Sequence, residues 1–354
     1  MTEKIRIGVI GCGAGRFHAQ QYASMPDVEL VALAGLEPDR CRQIAEQHHI
    51  PHVYGDYAEL VARPDVDGVS VCVPNHLHAP MTIAALEAGK HVLVEKPLAA
   101  SVAEGEAMAE AAARTGRVLM TVFNRRFRND SQIVKRHVEA GALGQIYFAR
   151  TGWLRDQGIP GGAGGWFTDK ARSGGGCLID LGVHMLDLAL WLMGQPRVES
   201  VSAATRAALG PRGRGLFPGY RQGEGDTFDV DDFVAAFLRL ESGATLALEV
   251  SWAGYIEKGD RFFVQLWGDE GGATMDVLNY TTQDTLRIYT DVHGTRTEIR
   301  PQTAGEYEKS VNHEFVRAIR LGRALSPTVE EGLQILRVIE AIYRSAEVGR
   351  EVML

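Results

Sequence analysis

The sequence predicts an α/β protein in two parts, a parallel-sheet domain followed by a domain built on a large, mainly antiparallel sheet. Three observations lead there. The first third alternates short, continuously apolar runs with helix-like stretches, the pattern of βαβ units whose strands are covered on both faces. Beyond about residue 124, period-2 runs follow one another across short turns such as Glu241-Ser242-Gly243, as in antiparallel sheets. Finally, 354 residues exceed what a single core usually serves. The expected division is 1–124 and 125–354, with the two C-terminal helices able to pack back on the first domain.

Taken in order, residues 4–11 (KIRIGVIG) read as a buried strand, followed by a Gly-rich turn and a helix over 17–25. A second strand (28–34, VELVALA) and helix (39–48) come next. Then strand and helix alternate: 68–74, 79–88, 91–95, 103–115 and 118–123. In the second part, 130–140 reads as a helix and 145–154 as a strand. Glycine runs at 158–165 and 174–176 precede a strongly apolar helix over 177–193. Period-2 stretches follow at 198–205, 232–240, 245–252, 261–268, 272–277 and 285–290, and helices over 306–321 and 330–348 close the chain. Residues 210–225, rich in Arg and Gly, form a long loop and are the expected mobile segment.

Composition narrows the function. With 37 Lys+Arg against 45 Asp+Glu, the net charge of −8 lacks the footprint of a nucleic-acid or anionic-membrane binder. No uninterrupted apolar run approaches the roughly 18 residues of a membrane span. The N-terminal residues enter a strand at once, without a signal-peptide apolar region, so a cytoplasmic location is expected. Four cysteines (Cys12, Cys41, Cys72, Cys177) show no CxxC and no pairing by spacing. They read as reduced thiols, with no disulfide framework and no metal site.

Glycine is over-used, 40 of 354 residues, and its placement is informative. Gly11-Cys12-Gly13-Ala14-Gly15-Arg16-Phe17 joins the first strand to the first helix. Small residues there let the backbone approach a pyrophosphate, whose charge the helix N-terminus favours. The spacing is GxGxG, and a tight turn without ligand has the same look. An acidic ribose ligand usually ends the second strand, but Gly35 stands there. Glu37 is the nearest acid and can reach a 2′-hydroxyl; Arg40 can reach a 2′-phosphate.

Pro74-Asn75-His76-Leu77-His78, Val94-Glu95-Lys96-Pro97 and Asp180-Leu181-Gly182-Val183-His184 occur in that order. Together they resemble the Gfo/Idh/MocA oxidoreductases, the glucose–fructose oxidoreductase and inositol dehydrogenase family, over nearly the whole chain. The resemblance implies a Rossmann (doubly wound) domain followed by an open-sheet α/β domain, NAD as cofactor with NADP also open, and a homodimer or homotetramer built on the free face of the sheet. It implies that Lys96 is the catalytic lysine and that Asp180 and His184 complete the catalytic group. Glu95 and His78 would lie near the nicotinamide ribose, and Pro74 and Asn75 would line the cofactor cleft. Independently, residues i and i+4 share a helix face, so Asp180 and His184 can point the same way.

The implied activity is oxidation of a secondary hydroxyl of a sugar, cyclitol or related polyol. His184 would take the hydroxyl proton, Asp180 would orient it, and Lys96 would stabilise the alkoxide; Lys96 and His184 could exchange the base role. Arg125 is the candidate substrate-facing arginine. Trp153, Arg155, Trp166 and Tyr255 offer the aromatic faces and donors a polyol needs. A cofactor-binding regulator and an NAD-using glycosidase are the competing readings.

Overall fold

The computed structural model describes residues 3–161, 165–221, 227–303 and 309–354. The chain divides into two compact units, residues 1–122 with 309–336, and residues 123–308 with 337–354. The first opens with β1 (Ile5–Ile10), α1 (Gly15–Ala23), β2 (Val28–Ala34) and α2 (Pro38–His48). It continues through β3 (His52–Tyr54), α3 (Tyr57–Val61), β4 (Gly68–Val71), α4 (His78–Glu87), β5 (His91–Val94), α5 (Val102–Thr115) and β6 (Leu119–Thr121). The second unit holds α6 (Asn129–Glu139), β7 (Ile146–Arg155), α7 (Lys170–Ser173), a π-helical turn (Leu178–Gly182) and α8 (Val183–Leu192). Its remaining strands are β8 (Val198–Arg206), β9 (Phe233–Leu240), β10 (Thr245–Ser251), β11 (Asp260–Gly268), β12 (Gly271–Leu278), β13 (Leu286–Val292) and β14 (Thr295–Ile299). The chain closes with α9 (Val311–Leu321), α10 (Val329–Val348) and β15 (Val352–Met353).

The six strands of the first sheet run in the order β3-β2-β1-β4-β5-β6, every pair parallel. The winding reverses between β1 and β4, so the crevice outside their carboxyl ends is the place where such folds hold ligands. Strands β2, β4 and β5 are almost wholly buried, as continuous apolar runs require. Ser101 caps α5 through the Glu104 amide, and Gly116 ends it in the left-handed region. Helix α9 and α10 up to Leu336 belong to this unit; Phe315 and Ile319 of α9 pack over Gly68.

The second sheet has nine strands in the order β14-β13-β12-β11-β7-β10-β9-β8-β15. Only β7 and β10 pair in parallel. Helix α8, apolar on all sides, is covered on all sides and packs on β7 and β11. The stretch Lys170–Leu192 is apolar and long enough to cross a membrane, but 89 % of its apolar window is buried inside the protein, as in a core helix.

Differences from the sequence expectation are local. The apolar helix expected over 177–193 begins as a π turn. Helix α9 starts at Val311 rather than 306, and residues 304–308 lie outside the described residues. Strand β3 and helix α3 were not expected, because three or five residues are too few to show a period. The glycine run at 158–165 and the loop at 210–225 are described except for 162–164 and 222–226.

Candidate active site

In the first unit the glycine turn leaves β1 and opens α1. Gly11 takes φ +101°, its amide donates to Ala34 O (2.8 Å), and a Cβ there would collide with the Cys72 carbonyl. Gly15 lets α1 close on β1, since a Cβ would sit 2.8 Å from Val9 Cγ1. A Cβ on Gly13 would meet no described atom within 4 Å, and no described acceptor takes the Gly13 or Ala14 amide. Small residues and outward amides at a helix N-terminus fit a dinucleotide pyrophosphate. Arg16 lies over the exposed Phe17 ring (4.5 Å). Glu37 and Arg40, beyond Gly35, form an exposed ion pair (3.2 Å).

The expectation of four reduced thiols needs correction. Cys12 and Cys41 form a disulfide, with Cα atoms 5.9 Å apart, while Cys72 and Cys177 are free and buried. The parallel register of Ile10 with Ala34 lays the turn after β1 beside the start of α2. Two cysteines 29 positions apart thereby become neighbours, a proximity that spacing alone does not carry. The same pair explains Gly35, where a Cβ would lie 2.6 Å from one sulfur and 2.8 Å from the other.

At the carboxyl ends of β4 and β5, buried polar groups are tied to one another. His78 places Nδ1 2.7 Å from Pro97 O and Nε2 2.9 Å from Val73 O, so its ring bridges the two strand ends. Burial pushes this imidazole below its usual range, against the pull of the two carbonyls. Glu95 accepts from the Lys96 amide (3.1 Å) and lies 3.1 Å from His18 Nε2. Burial acts to raise its pKa, but the His18 hydrogen bond and the positive charge of Lys96 hold it below the ordinary value. The Asn312 side-chain amide (3.1 Å) and the Ser70 hydroxyl (3.0 Å) approach His18 Nδ1, so the ring is held between them and Glu95. Sequence reasoning missed His18 and Asn312, which meet across 294 residues. Lys96 is half-buried and joined to Pro97 by a cis peptide; Asn75 is buried and Pro74 half-buried beside it.

In the second unit, Asp180 lies in the π turn, where it accepts the Trp252 indole proton (2.9 Å). His184, on the first turn of α8, is buried with its ring 5.7 Å from that of Trp153. Because Asp180 sits in the wider π turn, the simple α-helical i, i+4 alignment does not describe the pair; such turns recur at functional sites. Asp231 holds this segment. Its Oδ1 accepts from Gly176 N (2.9 Å) and Tyr343 OH (2.7 Å), and its Oδ2 from Leu178 N (2.9 Å). The Cys177 thiol donates to the same carboxylate (3.2 Å), and burial pushes both this thiol and the Tyr343 phenol well up.

Arg125 and Arg126 part company. Arg126 is buried against Asp187 of α8 (Nε–Oδ2 3.0 Å) and serves as an anchor. The Arg125 guanidinium lies over Trp153 (4.7 Å), Phe262 (4.9 Å) and Tyr280 (5.4 Å), and its buried Nε has no hydrogen-bond partner among the described residues. Burial pulls its pKa down to about 10. Arg155 donates to Asp260 (2.7 Å) and to Tyr280 OH (3.1 Å). Trp153 also donates to Asp260. Thus Arg125, Trp153, Arg155 and His184 form one cluster, joined by Phe262, Asp260 and Tyr280, which sequence reasoning missed. Trp166 stacks instead on Phe167 (3.9 Å), and Tyr255 is 85 % exposed on the loop after β10; neither has a described ring contact with the cluster.

Residues 5–123 match the oxidoreductase family with an NAD-binding Rossmann fold, and 131–274 match the GFO/IDH/MocA C-terminal domain. The chain is 33 % identical to D-glucoside 3-dehydrogenase of Escherichia coli, over 100 % of this chain and 98 % of that protein. It is 30 % identical to levoglucosan dehydrogenase of Pseudarthrobacter phenanthrenivorans, over 97 % and 96 % of the two chains. A solved structure of levoglucosan dehydrogenase with NADH and L-sorbose superposes with a TM-score of 0.87 at 27 % identity, covering 99 % of each chain. The Rossmann strand order, the glycine turn and the two matched domains agree: the chain belongs to the GFO/IDH/MocA family of NAD-binding oxidoreductases.

Proposed function

We propose that this chain oxidises a secondary hydroxyl of a sugar, cyclitol or related polyol with NAD. The observation that carries the reading is the cluster around His184, where a buried imidazole, two arginines and aromatic faces offer the donors and ring surfaces a polyhydroxylated ring requires. Bound NAD supplies the hydride acceptor. In this reading His184 takes the hydroxyl proton, Asp180, fixed by Trp252, orients it, and Lys96 steadies the developing alkoxide. The Gly11–Gly15 turn binds the pyrophosphate. His78 and Glu95 set the strand ends that carry Lys96, and Pro74 and Asn75 border them. Glu37, held by Arg40, reads the adenosine ribose and favours NAD over NADP. The location proposed is the cytoplasm, where the dinucleotide pool resides.

A screen of glucosides, anhydrosugars, aldoses and inositols, run with both dinucleotides, tests the activity. His184→Ala and Lys96→Met are each expected to lower turnover on the best substrate about 10²–10⁴-fold while leaving NADH affinity unchanged. Asp180→Asn should fall between. Release of free sugar without net dinucleotide reduction would favour the glycosidase reading, and NADH binding with no turnover on any substrate would favour a regulator.

Assembly as a homodimer or homotetramer is proposed on the outer face of the second sheet. There Trp267 and Phe237 stand exposed among ion pairs such as Arg150–Glu249 and Arg261–Asp276. Light scattering giving the mass of a single chain at micromolar concentration would refute it.

A further inference from the structure

The disulfide occupies an unusual place. Cys12 lies inside the glycine turn, between Gly11 and Gly13 whose backbone faces the dinucleotide, and Cys41 lies on the first turns of α2. Its amide donates to Glu37 O (2.9 Å), so the bond also reaches the segment assigned to the ribose. Both sulfurs press on Gly35, and the Gly35 amide is itself fixed to Tyr54 O (3.0 Å) on β3. The strand end is thus tied to its neighbour through the Gly35 amide. If the bond opens, the two sulfurs must separate from bonding distance to van der Waals contact. That displacement falls on the glycine turn or on the start of α2, the two segments that meet the dinucleotide.

We propose that the Cys12–Cys41 bond is a thiol-exchangeable clamp that keeps the dinucleotide turn in its binding conformation, so that reduction weakens dinucleotide binding and bound dinucleotide resists reduction. The inference rests on the assignment of this turn to the dinucleotide. The exchange consumes a dithiol: one of its sulfurs attacks Cys12 or Cys41, a mixed disulfide forms, and its second sulfur displaces the protein thiolate. Two electrons and two protons pass to the protein, which gains two thiols, and the dithiol leaves as its own disulfide. Both cysteines are buried, so attack goes through local opening of the turn. A ligand that holds the turn closed slows that opening, and linkage makes the two effects reciprocal.

The full chain is prepared in air and, separately, with excess dithiothreitol under nitrogen. Maleimide labelling of samples quenched into denaturant, read by intact mass, reports the thiol count, and NADH fluorescence titration of the folded chain reports affinity without turnover. Two labels are expected in air and four after reduction, with the Kd for NADH rising about tenfold on reduction. Cys41→Ser, or Cys41→Ala should the first not fold, is expected to show the weaker Kd in both buffers. Saturating NADH should slow the appearance of the two new labels. Four labels in air, equal affinity in the two states, or tighter binding after reduction overturns the clamp alone. No NADH binding in either state overturns the dinucleotide assignment and the clamp with it.

Discussion

Two turns in this protein begin alike and end differently. Each unit carries a glycine-rich turn with a cysteine, and each turn opens a helix: Gly11-Cys12-Gly13 before α1, and Gly174–Cys177 before the π turn and α8. In both, one glycine is demanded by a backbone carbonyl, Cys72 O against Gly11 and Asp231 O against Gly176. The second turn is closed by the chain's own carboxylate, since Asp231 accepts from the Gly176 and Leu178 amides. The first has no such acidic partner for Gly13 or Ala14 among the described residues, and its cysteine is spent on a disulfide beneath. Helix-start amides satisfied from within fix a helix in place; those left facing outward await an anion. In the proposed reading, one turn places the side chains assigned to catalysis and the other is the one assigned to the dinucleotide.

The comparison breaks most readily at Asp231. Asp231→Ala strands two buried amides and the Tyr343 hydroxyl and Cys177 thiol; at about 1–3 kcal/mol for each amide, a loss of at least about 2–6 kcal/mol in denaturant unfolding is expected. A loss under about 1 kcal/mol would mean that another acceptor already serves them. Gly13→Ala sharpens the contrast from the other side. Its Cβ meets nothing, so stability should stay within about 0.5 kcal/mol of the parent, while NADH affinity falls about tenfold as the methyl group intrudes on the pyrophosphate. Unchanged affinity would show that the turn does not face the dinucleotide.

The smallest effect separates the units by pH. His91 on β5 accepts the Val118 amide through Nδ1 (3.0 Å), and burial together with Arg117 pulls it down to about 4. An unfolded histidine titrates near ~6.5, so between these values the unfolded chain binds a proton the native chain refuses. Stability is full above that window and falls as pH drops through it. His91→Gln should remove this part of the acid slope, below about 1 kcal/mol after solvent screening, as read by thermal melts from pH 7 to 4.

What was legible followed from range. Strand β2 was bounded to the residue because VELVALA is apolar but for the exposed Glu29 and Gly35 stops it. Lys96, Asp180 and His184 were singled out as candidates because each lies in a short ordered motif. Arg125 was singled out from the sequence, but what occupies its neighbour Arg126, the buried Asp187, showed only in three dimensions. Phe262 and Asp260 on β11 and Tyr280 in the turn after β12 join the cluster from 100 or more positions away from Trp153, and nothing in their own segments marks them. The disulfide was illegible for the same reason, since the register of β1 on β2, not the spacing of the cysteines, makes it.

The lone parallel pair of the second sheet, β7 with β10, sets a timetable for synthesis. Strand β7 is finished at Arg155, yet its two neighbours are β10 and β11, and β11 ends only at Gly268. At ribosomal speeds of about 5–20 residues per second, the future centre of the sheet waits about 5–20 s for β10 to be finished and about 5–25 s for β11. During that interval Trp153 and its apolar neighbours have no sheet to enter, so a nascent chain stalled between residues 155 and 268 presents an unpaired strand to chaperones or to another copy of itself.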